Sequence, residues 1–315
     1  MSVVRTVLGD VEPAALGVVD AHEHLFQVSP LLPGDELDDP ERSRQEAASL
    51  RGSGIAAMID ATPIGLGRRP AELAAISAAT GLGVVASTGI HREAHYGAEH
   101  PLRGWGAERR AAAFVRDLVE GMPEHDGPDA GTALHEGEPV RAGLIKAGIG
   151  YWSIAPFERE TLVAAAVAHA ETGAAIMVHL EHGTAGHDVL DLLERLDVAP
   201  SRVMLAHADR LIDPGHHAEL LARGCAIGYD GMARWRDRSD HELLELTAAV
   251  VERGFDRILL GGDVARASRY VAYGGMPGLA YLGARYLPRL RERIGDEVVE
   301  RMLVAHPRAL LAIRG

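Results

Sequence analysis

In the first apolar run of the chain, GVVDAHEHLF, His22 and His24 stand two residues apart. Side chains at i and i+2 of a strand face the same side, so the two imidazoles project together while Glu23 points to the other face. Two imidazoles on one face make half of a metal site, or else a pair of hydrogen-bonded histidines at a strand end; the motif alone supports both. Other apolar runs end in groups of the same kind. IMVHLEHG carries His179, VMLAHAD carries His207 and LLGGD carries Asp263. The run AGLIKAGIG sets Lys146 among apolar residues, where a free ammonium is costly to bury unless paired. That lysine is either one half of a buried ion pair, for instance with Asp263, or a lysine converted by carbon dioxide to a carbamate, an anionic oxygen ligand.

These residues need strands to carry them to a common depth. Apolar β-rich runs at 17–24, 54–62, 83–90, 142–149, 174–180, 202–207, 225–230 and 257–263 alternate with segments of helical period. Eight runs in βα alternation predict a (β/α)8 TIM barrel, with the candidate ligands at the C-terminal face where such barrels keep their chemistry. The rival, a doubly wound open sheet, calls for a glycine fingerprint after the first strand, and that turn reads HEHLFQVSP instead. Helices are expected over 41–52, 70–82, 107–122, 157–173, 187–196, 216–224 and 241–255, with closing helices over 277–295 and 296–313.

Composition agrees with one enzyme domain spanning residues 1–315. Apolar residues make up 47% and charged residues 24%, and no linker or repeat interrupts the alternation. A formal net charge of −13 argues against a nucleic-acid partner, which is held by clustered Lys and Arg. The lone Cys225, in GCAIGYDG, reads as buried packing. With neither a signal-like N-terminus nor an apolar run of spanning length, the expected location is the cytoplasm, away from any membrane.

The chain resembles the phosphotriesterase-related family of the amidohydrolase superfamily, and within it the phosphotriesterase-like lactonases. The likeness runs through TVLGDVEPAALG, HEHL, GLIKAGIG, APFERETLVAAAVAHAETG, MVHLEHGT, SRVMLAHAD, LLARGCAIGYD and PRLRERIGDEVVERMLVAHPRALL. It implies two divalent metal ions, expected to be zinc although the ligand types also suit manganese, cobalt and iron. His22, His24 and Asp263 would hold one ion, His179 and His207 the other, and carboxylated Lys146 with a hydroxide would bridge them. Asp263 would also act as general base. Relatives are commonly homodimers, so a homodimer is expected.

Organophosphate-degrading relatives carry proton-shuttling residues where this chain has Arg210 and Gly231. That departure favours opening of lactones or related esters over hydrolysis of organophosphate triesters. Loops seven and eight, DGMARWRDRSD and DVARASRYVAYGGMPG, supply Arg234, Arg236, Arg238, Arg266 and Arg269. Arginine suits phosphate through its paired donors, so Arg234, Arg236 and Arg266 are candidate substrate ligands and a phosphorylated sugar lactone the candidate substrate. The alternative for them is salt bridging with Asp237 and Asp240. Tyr96, in a third loop rich in His and aromatic residues, is a candidate for a hydrogen bond to substrate. His182 lies beyond its strand, and His169, His216, His217 and His306 are expected at solvent-facing or capping positions. A mononuclear deaminase shares the HxH start but needs no strand-four lysine, and a non-catalytic binding barrel should have lost a ligand.

Overall fold

The computed structural model describes residues 2–127 and 129–314. Eight parallel strands lie side by side in chain order: β1 (Val19–Glu23), β2 (Ala57–Asp60), β3 (Gly83–Gly89), β4 (Leu144–Ile149), β5 (Ala175–Leu180), β6 (Val203–Ala206), β7 (Ala226–Tyr229) and β8 (Ile258–Leu260). The last returns to the first, where the Asp263 amide donates to the His22 carbonyl at 2.9 Å. A side chain at Gly261 would put its Cβ 2.7 Å from the His22 nitrogen, so the glycine pair in LLGGD is what lets the seam close. The sheet is a nearly closed (β/α)8 barrel, as the alternation of runs implied.

Helices follow the strands: α1 (Pro40–Gly52), α2 (Pro70–Thr80), α3 (Ala107–Val119), α4 (Pro156–Thr172), α5 (Gly186–Glu194), α6 (Pro214–Ala222) and α7 (Asp240–Val251), with α8 (Leu287–Ile294) among the closing segments. Their ends obey local chemistry. Asp39 and Asp213 accept amides at the starts of α1 and α6, and Ser239 with Glu242 forms a capping box on α7. Gly81 and Gly173 end α2 and α4 in the left-handed conformation. The chain termini meet beneath the barrel, where Ser2–Thr6 pairs antiparallel with Gly9–Val11 and Ile313–Arg314. Cys225 is buried, its thiol donating to the Leu220 carbonyl at 3.2 Å. Among the described residues no helix is long and apolar enough to cross a membrane.

The barrel interior decides which way each candidate ligand points. Val19, Ala21, Ala57, Ile59, Leu144, Ala175, Met177, Met204, Ala206 and Leu259 form its inner cluster, with Val4, Leu16, Leu310 and Leu311 packed against it. Alternation continued upward from Leu144 and Met177 brings Lys146 and His179 inward directly. Continued from Val19 and Ala21, however, it would turn Glu23 inward and both histidines out. The pairing of β1 with β2 runs Asp20 to Met58 and then Glu23 to Asp60, one residue too many on β1. This bulge reverses the phase and delivers His22 and His24 to the inside.

On β6 the inner residues are Met204 and Ala206, which puts His207 out of phase. A left-handed backbone at His207, φ 64°, turns it in, and Asp263 has φ 43°. β4 and β5 end where their apolar runs do, but the other six strands end earlier, and His24, His207, Asp230 and Asp263 lie past the ends of theirs.

Gly89, at the end of β3, sits against the Lys146 backbone: φ is +109° and an added Cβ would stand 1.9 Å from the Lys146 oxygen. Gly89→Ala is therefore expected to destabilise the protein by about 3 kcal/mol or more, from backbone strain and overpacking together. Equilibrium denaturation is the measurement, and an unchanged midpoint would contradict this account of the β3–β4 approach.

Candidate metal centre

His22, His24, Lys146, His179, His207 and Asp263 meet at the C-terminal mouth of the barrel, none more than 7% exposed. Ring centroids are 4.9 Å apart for His22 and His207, 4.5 Å for His179 and His207, and 5.5 Å for His22 and His24. Burial pushes His22 down to about 3, helped by the Lys146 charge, and holds His179 and His207 below the ordinary imidazole value. All three are neutral near pH 7, the form that ligates metals.

Hydrogen bonds fix which nitrogen of each ring is free. Asp230, fully buried, accepts from His22 Nδ1 at 3.0 Å and from His207 Nδ1 at 2.6 Å. Both rings then turn a lone pair at Nε2 toward the centre. Thr62 gives its hydroxyl proton to the Phe26 carbonyl, so its oxygen accepts from His24 Nδ1 at 2.8 Å, and His24 also keeps Nε2 free. His179 is held the other way round. Its Nε2 lies 2.9 Å from Glu181 Oε2, itself paired with Arg92, which leaves Nδ1 as its ligating atom.

Ligand atoms of His22, His24 and Asp263 lie within 4.8 Å of one another, a set that suits a divalent ion. Those of His22, His207 and Asp230 do too, but the Asp230 oxygens already carry the two Nδ1 protons, so Asp230 orients ligands rather than competing to be one. Burial alone would raise the Asp230 carboxyl, but the His207 and His22 contacts hold it well below the usual range. Lys146 Nζ stands 3.1 Å from His22 Nε2 and 3.1 Å from Met177 Sδ. Among the described residues it has no carboxylate within 4.0 Å, so the ion pair with Asp263 is not formed. Burial brings its ammonium down to about 8.

Asp263 turns Oδ1 toward the imidazoles, 3.5 Å from His24 Nε2, and Oδ2 toward arginines. Arg210 donates to that oxygen at 3.1 Å, and Arg234 also bonds it. Despite burial, which raises it, the carboxyl lies well below its ordinary value, chiefly because of the Arg234 charge. Arg210 thus occupies the site instead of an acid. At Gly231, Asp209 Oδ2 accepts the backbone amide at 2.7 Å and would meet a Cβ at 2.6 Å, which excludes a histidine there.

A cavity of about 470 Å³ is lined by Arg234, Trp235, Arg236, Asp237, Arg266 and Arg269, among others, and Arg234 and Arg269 reach from it to Asp263. Arg234 Nε is sealed from solvent and has no hydrogen-bond partner. Burial, with the neighbouring Arg234, pushes Arg269 down to about 10. The salt bridges considered for these arginines do not form among the described residues: Asp240 is taken by Arg289 and Tyr281, and Arg238 donates to the Asp209 and Arg210 carbonyls.

Tyr96 is not brought to the cavity. It is 2% exposed, donating to the Ile64 carbonyl and accepting from the His91 amide. His182 points away, its side chain 67% exposed. His217, expected at a solvent-facing or capping position, is fully buried instead; its Nδ1 meets the Tyr229 hydroxyl at 2.6 Å and its Nε2 donates to the Ala208 carbonyl.

Asp230, Thr62 and Glu181 were not singled out in the sequence, although Asp230 ends the seventh apolar run at the depth of the other ligands. Asp230→Asn leaves one oxygen to serve two N–H groups. Zinc affinity, measured by chelator competition, is expected to fall about 10- to 100-fold while circular dichroism stays unchanged; undiminished affinity would remove Asp230 from the site's support.

A "Phospho-furanose lactonase" of Mycoplasmopsis synoviae is 28% identical over 98% of this chain and 91% of its own length. The crystal structure of a lactonase from Listeria monocytogenes superposes with a TM-score of 0.90 at 27% identity, over 100% of both chains. The phosphotriesterase homology protein from Escherichia coli, solved with phosphate in its active site, gives 0.83 at 27% identity over 94% of this chain and 99% of that one. The model of the phosphotriesterase family matches residues 2–311, and with the barrel and its ring of ligands this establishes that the chain belongs to that family of metal-dependent hydrolases.

Proposed function

We propose that the chain is a lactonase with a binuclear metal centre, acting on sugar lactones that carry a phosphate group. The observation that carries this reading is the cavity lined by Arg234, Arg236, Arg266 and Arg269, two of which, Arg234 and Arg269, also reach Asp263. The activity named for the Mycoplasmopsis relative and the phosphate in the Escherichia structure support it. A neutral phosphotriester would leave these guanidinium groups without an anion, which argues for the lactone.

In this reading His22, His24 and Asp263 hold one ion through Nε2, Nε2 and Oδ1. His179 through Nδ1 and His207 through Nε2 would hold the other, and Lys146, as a carbamate, would supply a further oxygen ligand. Two divalent ions, zinc being the expected choice, would supply Lewis acidity, polarising the lactone carbonyl and lowering the pKa of the attacking water. The chain's part is positioning and charge. With its ammonium at about 8, roughly one Lys146 in ten is a free amine at pH 7, the form that adds carbon dioxide. Asp263 Oδ1 faces the reacting centre and takes the water's proton, while Arg210 and Arg234 keep the carboxylate ionised. Arg266, with Arg234, Arg236 and Arg269, binds the phosphate and so fixes which carbonyl is presented. Attack of the water oxygen forms the new acyl C–O bond and breaks that of the ring, and the proton held by Asp263 passes to the departing oxygen, which leaves as a hydroxyl.

With zinc or manganese and bicarbonate, a lactone panel should show turnover favouring phosphorylated members; fewer than one metal per chain, or no turnover by a metallated sample, would overturn the reading. Lys146→Ala should lower kcat/KM by about a hundredfold or more. Arg266→Ala should raise KM for phosphorylated lactones about tenfold while changing it little for unphosphorylated ones. The free amine of Lys146 predominates above pH about 8. At fixed dissolved carbon dioxide, reactivation of the metal-free enzyme should therefore be on the order of tenfold faster at pH 8.5 than at pH 6.5. A flat rate would rule out the amine as the reacting group.

A further inference from the structure

Outside the barrel, on the helical layer, a second group of ligand side chains comes together. His187 lies in the first turn of α5, and His216 and Glu219 stand three residues apart on one face of α6. One ligand atom from each of the three lies within 4.8 Å of the others. His187 Nε2 is 3.7 Å from Glu219 Oε2, and the His187 and His216 rings meet edge to face at 5.3 Å. His216 Nε2 is shut off from solvent and has no hydrogen-bond partner. A sealed imidazole nitrogen without a partner is uncommon, and a cation is one of the few things that satisfies it here.

We propose that His187, His216 and Glu219 form a third metal site, separate from the centre in the barrel, that takes a zinc-like divalent ion and joins α5 to α6. Two imidazoles and a carboxylate are a donor set for zinc, with water completing the tetrahedron. Glu219, whose side chain is 73% exposed, has the freedom to close the remaining distance. Burial and the His187 charge lower His216 below the ordinary imidazole value, which keeps its lone pair available. Arg223 bears on the chemistry: its Nη1 lies 3.3 Å from His187 Nδ1, which accepts from it and so puts the ring proton on Nε2, the atom facing Glu219, until an ion displaces that proton. Once the ion takes Nε2, the ring proton resides on Nδ1 and this contact lengthens. Arg223 stays anchored by Asp191, Glu194 and the His187 carbonyl, so its charge remains balanced by two carboxylates. The site joins the helices that directly follow β5 and β6, the strands leading to His179 and His207.

The test is a zinc titration of the full-length protein, read by isothermal calorimetry and by metal analysis after gel filtration. The parent should bind one zinc per chain more than His216→Ala or Glu219→Gln, and zinc should raise its melting temperature more than theirs. Glu219→Gln changes an exposed side chain, so it separates lost ligation from lost folding. Each variant should keep the parent's turnover with the barrel centre loaded. Equal zinc counts in parent and both variants overturn the third site, and do so whatever the fate of the lactonase reading. A count that falls in Lys146→Ala but in neither helix variant assigns all bound zinc to the barrel and likewise overturns it.

Discussion

The Asp230 carboxylate accepts protons from two imidazoles that arrive from opposite sides of the barrel seam, His22 on the first strand and His207 after the sixth. A carboxylate sealed from water is costly unless its oxygens are occupied, and these two rings occupy them. The bond works in both directions. It keeps Asp230 ionised, and it forces the protons of both rings onto Nδ1 so that both Nε2 lone pairs face inward. Thr62 does the same for His24, while Glu181 takes the Nε2 proton of His179 and leaves its Nδ1 free. The inner ring of ligands thus depends on an outer ring of acceptors, and the outer ring depends on β7 ending where it does.

Much of this was legible in the sequence, for reasons that differ by residue. Lys146 and His179 continue the alternation of Leu144 and Met177, so period two alone places them. His207 and Asp263 were found because apolar runs stop at them, yet what aims them is a left-handed backbone that no period describes. Asp230 ends an apolar run too, but its oxygens hold the imidazoles in place, a role that no spacing marks. Tyr96 went the other way. A loop tyrosine among polar neighbours suggested a ligand contact, and only the fold reveals that its hydroxyl is spent on two backbone groups.

The arginines connect the site's electrostatics to its choice of substrate. Arg210 and Arg234 both lean on Asp263 Oδ2, and the neighbouring Arg269 is pushed down by burial and by Arg234. Such a group is held together against its own repulsion by one carboxylate and several carbonyls, among them those of Asp263 and Met232. An anion entering the cavity would relieve part of that repulsion. Asp209 fills the space where a side chain on residue 231 would go.

The extra residue in β1 has a meaning for how such sites are moved or modified. His22 and His24 are set two apart, but the spacing fixes only that they share a face; the bulge between Asp20 and Glu23 chooses the face. A barrel given the same HxH on an unbulged strand, in phase with an inward Val and Ala, would display its histidines to the helices. Deleting one residue below His22 would do likewise here, with all six ligands still present in the sequence. Transplanting this centre therefore means transplanting an irregularity, and a motif search that scores the letters without the phase will accept barrels whose histidines face the wrong layer.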